Sequence, residues 1–131
     1  MVAFNFTKAF VDKVASGEKS ATMRPTKRAK VGDTLQLYTG LRTRHTKLIK
    51  LAKCTDVREV TVYNDRIEGL DELDESEFLE LMGSADESMD DFIGYFRKHC
   101  DLPYTCYMYI WTDKVEPKRT IKNPSVLFNG S

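Results

Sequence analysis

The chain has 131 residues, of which 41% are hydrophobic and 11% aromatic. That is enough for one domain with a buried core and too apolar for wholesale disorder. No apolar run reaches the roughly 18–20 residues of a membrane span, and no apolar stretch behind basic residues predicts a secretory signal. Three cysteines, Cys54, Cys100 and Cys106, include no CxxC pair. Free thiols in a reducing cytoplasm fit that count better than a disulfide framework or a zinc cluster. The formal net charge is +0, yet its distribution is uneven. Residues 1–60 carry 13 Lys+Arg against 5 Asp+Glu, a net +8; residues 61–102 carry 3 against 13, a net −10; residues 103–131 carry 4 against 2, a net +2. One basic and one acidic surface are expected. This balance argues against bulk duplex binding and fits a small anionic or nucleoside-like ligand, or RNA held locally.

Thr7 to Ser16 gives the first helix signal. Thr7 is placed to cap, Ala9, Phe10, Lys13 and Val14 fall on one side, and Gly17 supplies a stop. Ser20 to Met23 reads as a short extended piece ending at Arg24-Pro25, because a residue before proline avoids the helical region. The basic loop Lys27-Arg28-Ala29-Lys30 and the turn Val31-Gly32-Asp33 follow. Thr34 to Thr39 alternates Leu35 and Leu37 with Gln36 and Tyr38, a strand pattern. A second basic loop, Gly40 to Arg44, leads to two more strand-like runs, Lys47 to Cys54 and Val57 to Tyr63.

Asp74 and Glu77 have capping-box spacing and open a helix over Glu75 to Met82, with Phe78, Leu79 and Met82 as its buried stripe and Gly83 as its end. Ser88 caps a further helix, Met89 to His99, with Phe92, Ile93 and Phe96 inward. Tyr104 to Thr112 is apolar on both faces, as a central strand should be. Residues 114–131 read as a C-terminal extension, either packed back through Val126, Leu127 and Phe128 or mobile. This order predicts an α+β domain with a curved, barrel-like sheet and helices at its ends.

Chemistry-bearing residues concentrate in Ser16-Gly17-Glu18-Lys19-Ser20-Ala21-Thr22-Met23-Arg24, followed by Val31-Gly32-Asp33. This arrangement resembles the ASCH domain, a branch of the PUA-like superfold. The likeness lies in a G-x-K-[ST]-x-T-x-R motif after a helix and a Gly-Asp turn before a strand. Ala85-Asp86-Glu87-Ser88-Met89 is similar to an acidic corner of that family, with serine where glycine is commoner. The likeness spans residues 4–113, within an ASCH/PUA-like domain over 1–113. It implies a small PUA-like β-barrel with flanking helices and a cleft that takes RNA or a nucleoside-like ligand. One branch hydrolyses N(4)-acetylcytidine. By resemblance its catalytic set falls on Lys19, Thr22 and Glu87, with Asp86 the rival of Glu87. Ser20, Arg24, Arg42 and Arg44 are then candidate substrate-binding residues.

Amide hydrolysis needs a nucleophile, a proton acceptor and a stabiliser for the developing oxyanion. A threonine becomes nucleophilic only when a base takes its proton. A lysine can be that base if burial or a neighbouring cation, such as Arg24 or Arg28, lowers its pKa; if it stays charged, it stabilises the oxyanion instead. Lys19 and Thr22 are three apart, so a uniform strand would send them to opposite faces. A bend after Gly17 is required to converge them.

Each residue also has a plainer reading: a helix-end charge for Lys19, a strand former for Thr22, a favourable helix N-terminal charge for Glu87. Tyr107, Tyr109 and Trp111 alternate on one strand face and could stack bases, although such aromatics more often form core. His45 and His99 are too isolated for a metal site, and the acidic run Asp71 to Glu80 lacks calcium-loop spacing. No metal or cofactor is expected. Two functions remain: an amidohydrolase of acylated nucleosides, or a non-catalytic RNA-binding module using the same cleft and the basic loops.

Overall fold

A computed structural model of the chain describes residues 2–113. The expectation for the extension 114–131 lies outside them. Six strands form one mixed sheet: β1 (Val2–Phe6), β2 (Ala21–Arg24), β3 (Thr34–Thr39), β4 (Lys47–Val62), β5 (Ile67–Glu68) and β6 (Tyr104–Asp113). Helices α1 (Val11–Ser16), α2 (Glu75–Leu81) and α3 (Met89–His99) accompany it. The sheet order is β1-β3-β4-β6-β2, with β5 added to β4. It curls into a half-barrel, the α+β arrangement the element order predicts.

β1 was not expected from the sequence. It pairs in parallel with β3, from Val2 opposite Leu35 to Phe6 opposite Thr39. Val2, Phe4 and Phe6 alternate with Ala3 and Asn5, a period-2 signal carried on only five residues. The helix expected over Thr7 to Ser16 is a 3-10 turn, Lys8–Phe10, followed by α1. The Thr7 side chain makes no capping hydrogen bond; only the Thr7 carbonyl accepts, from Phe10 N at 2.9 Å. The two strands expected over 47–54 and 57–63 are one strand. Cys54 faces Trp111 and Asp56 faces Ile110, so Thr55 is the extra residue of a β-bulge.

That bulge divides the core. Ala52 and Cys54, before it, pack with Phe4, Phe6, Leu35, Leu37, Tyr109 and Trp111. Val60, after it, packs with Phe78, Leu79, Met82, Cys106 and Met108. A one-residue insertion moves every following side chain to the other face, so a single strand serves both clusters. β6 lies between β4 and β2 and also serves both, which is why it is apolar on two faces. Tyr109 and Trp111 are therefore core. The Tyr109 hydroxyl accepts from Arg28 N at 2.6 Å and donates to Thr26 O at 2.9 Å, pinning the loop after β2.

The Asp74–Glu77 capping box forms, and the Ser88 cap is itself a capping box completed by Asp91, satisfying N–H groups that would otherwise lack partners. No described helix is long and apolar enough to cross a membrane. Among the described residues the three cysteines are free. Cys106 is buried, and its thiol is pushed up to about 12 by burial and then by Cys100.

Candidate active site

Gly17 ends α1 at φ +88°, a left-handed conformation that glycine adopts without steric cost. The chain bends there. Lys19 then forms an isolated bridge to Met82 before β2 begins at Ala21. This is the bend that convergence requires. Lys19 and Thr22 are 4% and 5% exposed and line the same cavity of about 610 Å³.

Lys19 Nζ donates to Met82 O at 3.1 Å and lies 5.0 Å from the centre of the Phe10 ring. It forms no ion pair with a described carboxylate. Burial, then the charges of Arg24 and Lys13, lower its pKa from 10.5 to about 7. A large fraction of the amine is therefore neutral at physiological pH. Its position depends on Gly83. That residue has φ +75°, and a Cβ added there would lie 2.9 Å from Lys19 Cβ. Gly83 O in turn accepts from Lys13 Nζ at 2.7 Å.

Arg24 is half-buried and also lines the cavity. Its Nε donates to Thr22 Oγ1 at 3.3 Å and its Nη2 to Asn5 O at 2.7 Å. A guanidinium donating to the threonine oxygen leaves the hydroxyl proton free for another acceptor and favours negative charge on that oxygen.

Glu87 lines the cavity; Asp86 does not. The segment carrying Glu87 is set by Glu87 N donating to Ser84 O at 2.9 Å, between α2 and the Ser88 cap. Lys19, Thr22, Arg24 and Glu87 thus share one cleft. Ser20 lies outside it: its backbone joins Leu81 O and Trp111 N, which orients the Lys19–Thr22 segment. Arg42 and Arg44 are exposed on the 40–46 loop, outside the cavity, although Leu41 N donates to Asn5 Oδ1 at 2.9 Å and docks that loop on β1.

The sequence reading missed the apolar wall. Phe6 and Phe10 line one part of the cavity and Phe92, Tyr95 and Phe96 another. Ile93 is fully buried and Phe92 packs against the second core cluster, as their inward positions predict, while Phe96 lines the cavity and lies outside both clusters. The signal was present as an aromatic cluster on one helix. No group of three or more potential metal ligands occurs among the described residues.

A curled half-barrel flanked by three helices, with a lysine, threonine, arginine and glutamate in one aromatic-walled cleft, defines a small α+β domain. Its fold is that of ASCH domains. The crystal structure of ASCH from Zymomonas mobilis is similar at a TM-score of 0.54 and 12% identity, over 85% of this chain and 66% of that one. An ASCH domain from Lactobacillus crispatus is similar at a TM-score of 0.58 and 14% identity, over 86% of this chain and 78% of that one. The chain spans about two thirds of the length of the Zymomonas protein. No family model and no curated protein matches the chain in sequence.

Proposed function

We propose that the chain is an amidohydrolase that releases acetate from N(4)-acetylcytidine or a related acylated nucleoside. The observation that carries this reading is a buried lysine with a pKa near 7 in the same cavity as a buried threonine hydroxyl and a carboxylate. Burial favours Lys19 as the base over a permanently charged oxyanion stabiliser. Neutral Lys19 takes the Thr22 proton as Oγ1 attacks the acetyl carbonyl carbon. Arg24, whose Nε donates to Oγ1 and whose guanidinium keeps further N–H donors, stabilises the negative charge that develops on the acetyl carbonyl oxygen. The C–N bond breaks, and the departing exocyclic nitrogen takes the proton back from Lys19. Acetate is then held as an ester on Thr22. Glu87 removes a proton from water as its oxygen attacks the ester, then gives that proton to the departing Thr22 oxygen, so that acetic acid leaves and ionises to acetate. The aromatic wall suits a planar base.

The direct test is incubation with N(4)-acetylcytidine, following cytidine by chromatography. Turnover is expected, with kcat/KM rising about tenfold per pH unit below about 7 and levelling above it, as deprotonation of one basic group demands. Absence of turnover in a preparation that binds RNA oligomers rejects the hydrolase. The exposed Arg42 and Arg44 loop supports the alternative of a non-catalytic RNA-binding module. That module requires salt-sensitive RNA binding, weakened when both charges are removed. Gly83→Ala is expected to lower kcat roughly tenfold by displacing Lys19, and to destabilise the fold by about 1–2 kcal/mol through its left-handed backbone. Kinetics and a thermal melt on the same sample read both effects.

A further inference from the structure

Among the described residues the half-barrel does not close by backbone pairing. β1 and β2 are the two ends of the sheet path, and arginine side chains span the seam between them. Arg24 Nη2 donates to Asn5 O at 2.7 Å and Arg28 Nη2 to Ala3 O at 2.6 Å. Those carbonyls are two residues apart on an extended strand, about 6.5–7 Å along it. The two guanidinium carbons lie 5.1 and 5.0 Å from the centre of the Phe4 ring, and Arg24 also lies 5.1 Å from that of Phe6. Phe6, Arg24, Phe4 and Arg28 therefore form a ladder leading out of the cavity, since Phe6 and Arg24 line it and Arg28 is exposed beyond it.

Among the described residues this ladder has no counter-charge. Arg58, Arg66 and Arg97 each sit against a carboxylate. Among the described residues neither Arg24 nor Arg28 forms an ion pair. Each guanidinium has five N–H donors. Arg24 uses two of them and the Arg28 side chain one. Two neighbouring cations that repel each other and retain free donors suit a dianionic, multi-oxygen group.

We propose that Arg24 and Arg28 form a phosphate subsite at the β1–β2 seam, so that the ligand is a 5′-phosphorylated nucleoside with its base in the cavity and its phosphate on the ladder. This rests on reading the cavity as a nucleoside site and names the substrate class more closely. Arg24 has a double duty, touching Thr22 on one side and the phosphate on the other. Arg28 serves the phosphate alone.

Isothermal titration of the protein with cytidine, cytidine 5′-monophosphate and inorganic phosphate tests the subsite without relying on turnover. The monophosphate is expected to bind at least about tenfold tighter than cytidine, a preference that falls with salt. Phosphate is expected to compete with the monophosphate. In Arg28→Gln, at an exposed position, the preference is expected to drop to within about twofold. Equal affinities in the wild-type protein, or an undiminished preference in Arg28→Gln, overturn the proposal. A short cytidine oligoribonucleotide that binds more than about tenfold tighter than the monophosphate also overturns it, assigning the ladder to RNA. Parallel assays with N(4)-acetylcytidine and its 5′-monophosphate separate the two readings. Preference in binding without hydrolysis of either compound keeps the subsite and removes the hydrolase. Hydrolysis without phosphate preference in binding does the reverse.

Discussion

Replacing Lys19 by methionine is expected to reduce hydrolysis of N(4)-acetylcytidine by about 10³-fold or more, through loss of the proposed base, while raising the melting temperature. The two effects have one cause. The amine has a pKa of about 7 in the fold against 10.5 ordinarily, chiefly because it is buried. Between these values the unfolded chain holds a proton that the folded chain does not. Stability therefore rises with pH across that window, and the full cost of burying the cation is present below about pH 7. The shift corresponds to a penalty on the order of 4–5 kcal/mol. Methionine removes it but leaves Met82 O without its donor, which costs about 1–3 kcal/mol. A net gain of about 1–4 kcal/mol, several degrees in Tm, is expected near pH 6. It should shrink steadily toward pH 10. Thermal melts of both proteins across that range check the sign. A Lys19→Met protein that is less stable than wild type at pH 6 refutes the account of a buried, depressed lysine.

Thr22→Ala is expected to lower kcat by about 10³-fold, whereas Thr22→Ser, which keeps the hydroxyl, should stay within about tenfold of wild type. Thr22 is buried with its oxygen bonded to Arg24 Nε, so the alanine variant also removes an acceptor from that guanidinium and should lose modest stability. The serine comparison separates this structural loss from loss of the nucleophile. Mass spectrometry of wild-type protein quenched during turnover should find an added acetyl group on the peptide containing Thr22. If Thr22→Ala keeps most of its activity, the hydroxyl is not the nucleophile, and water activated by Glu87 must attack instead.

Much of the fold was readable because local chemistry agreed with tertiary need. The Asp74–Glu77 box and the Ser88 cap open α2 and α3 where their spacing places them. Leu35 and Leu37 alternate into the core as expected, and the two apolar faces of β6 match its interior position. β4 was read as two strands because Thr55-Asp56 interrupts the alternation. A bulge and a strand break look alike until the partner strand is known. β1 was missed because five residues give little periodicity, and its parallel partner lies about thirty residues away.

The site divides along similar lines. Gly17, Lys19, Thr22 and Arg24 could be singled out, and the need for a bend could be derived from their spacing. Whether that bend brought the side chains together could not, because it depends on Lys19 bridging Met82 and on the absence of a side chain at Gly83, more than sixty residues away. The choice of Glu87 over Asp86 for the cavity depends on how the turn after α2 is held, and the aromatic wall on which side of α3 faces the cleft. By itself the sequence determined the residue types, the α+β class and the caps of α2 and α3, which are properties of neighbouring residues and short periods. Only the tertiary structure decided the depressed pKa of Lys19 and the uncompensated arginine ladder, because burial and charge proximity depend on distances between segments remote along the chain.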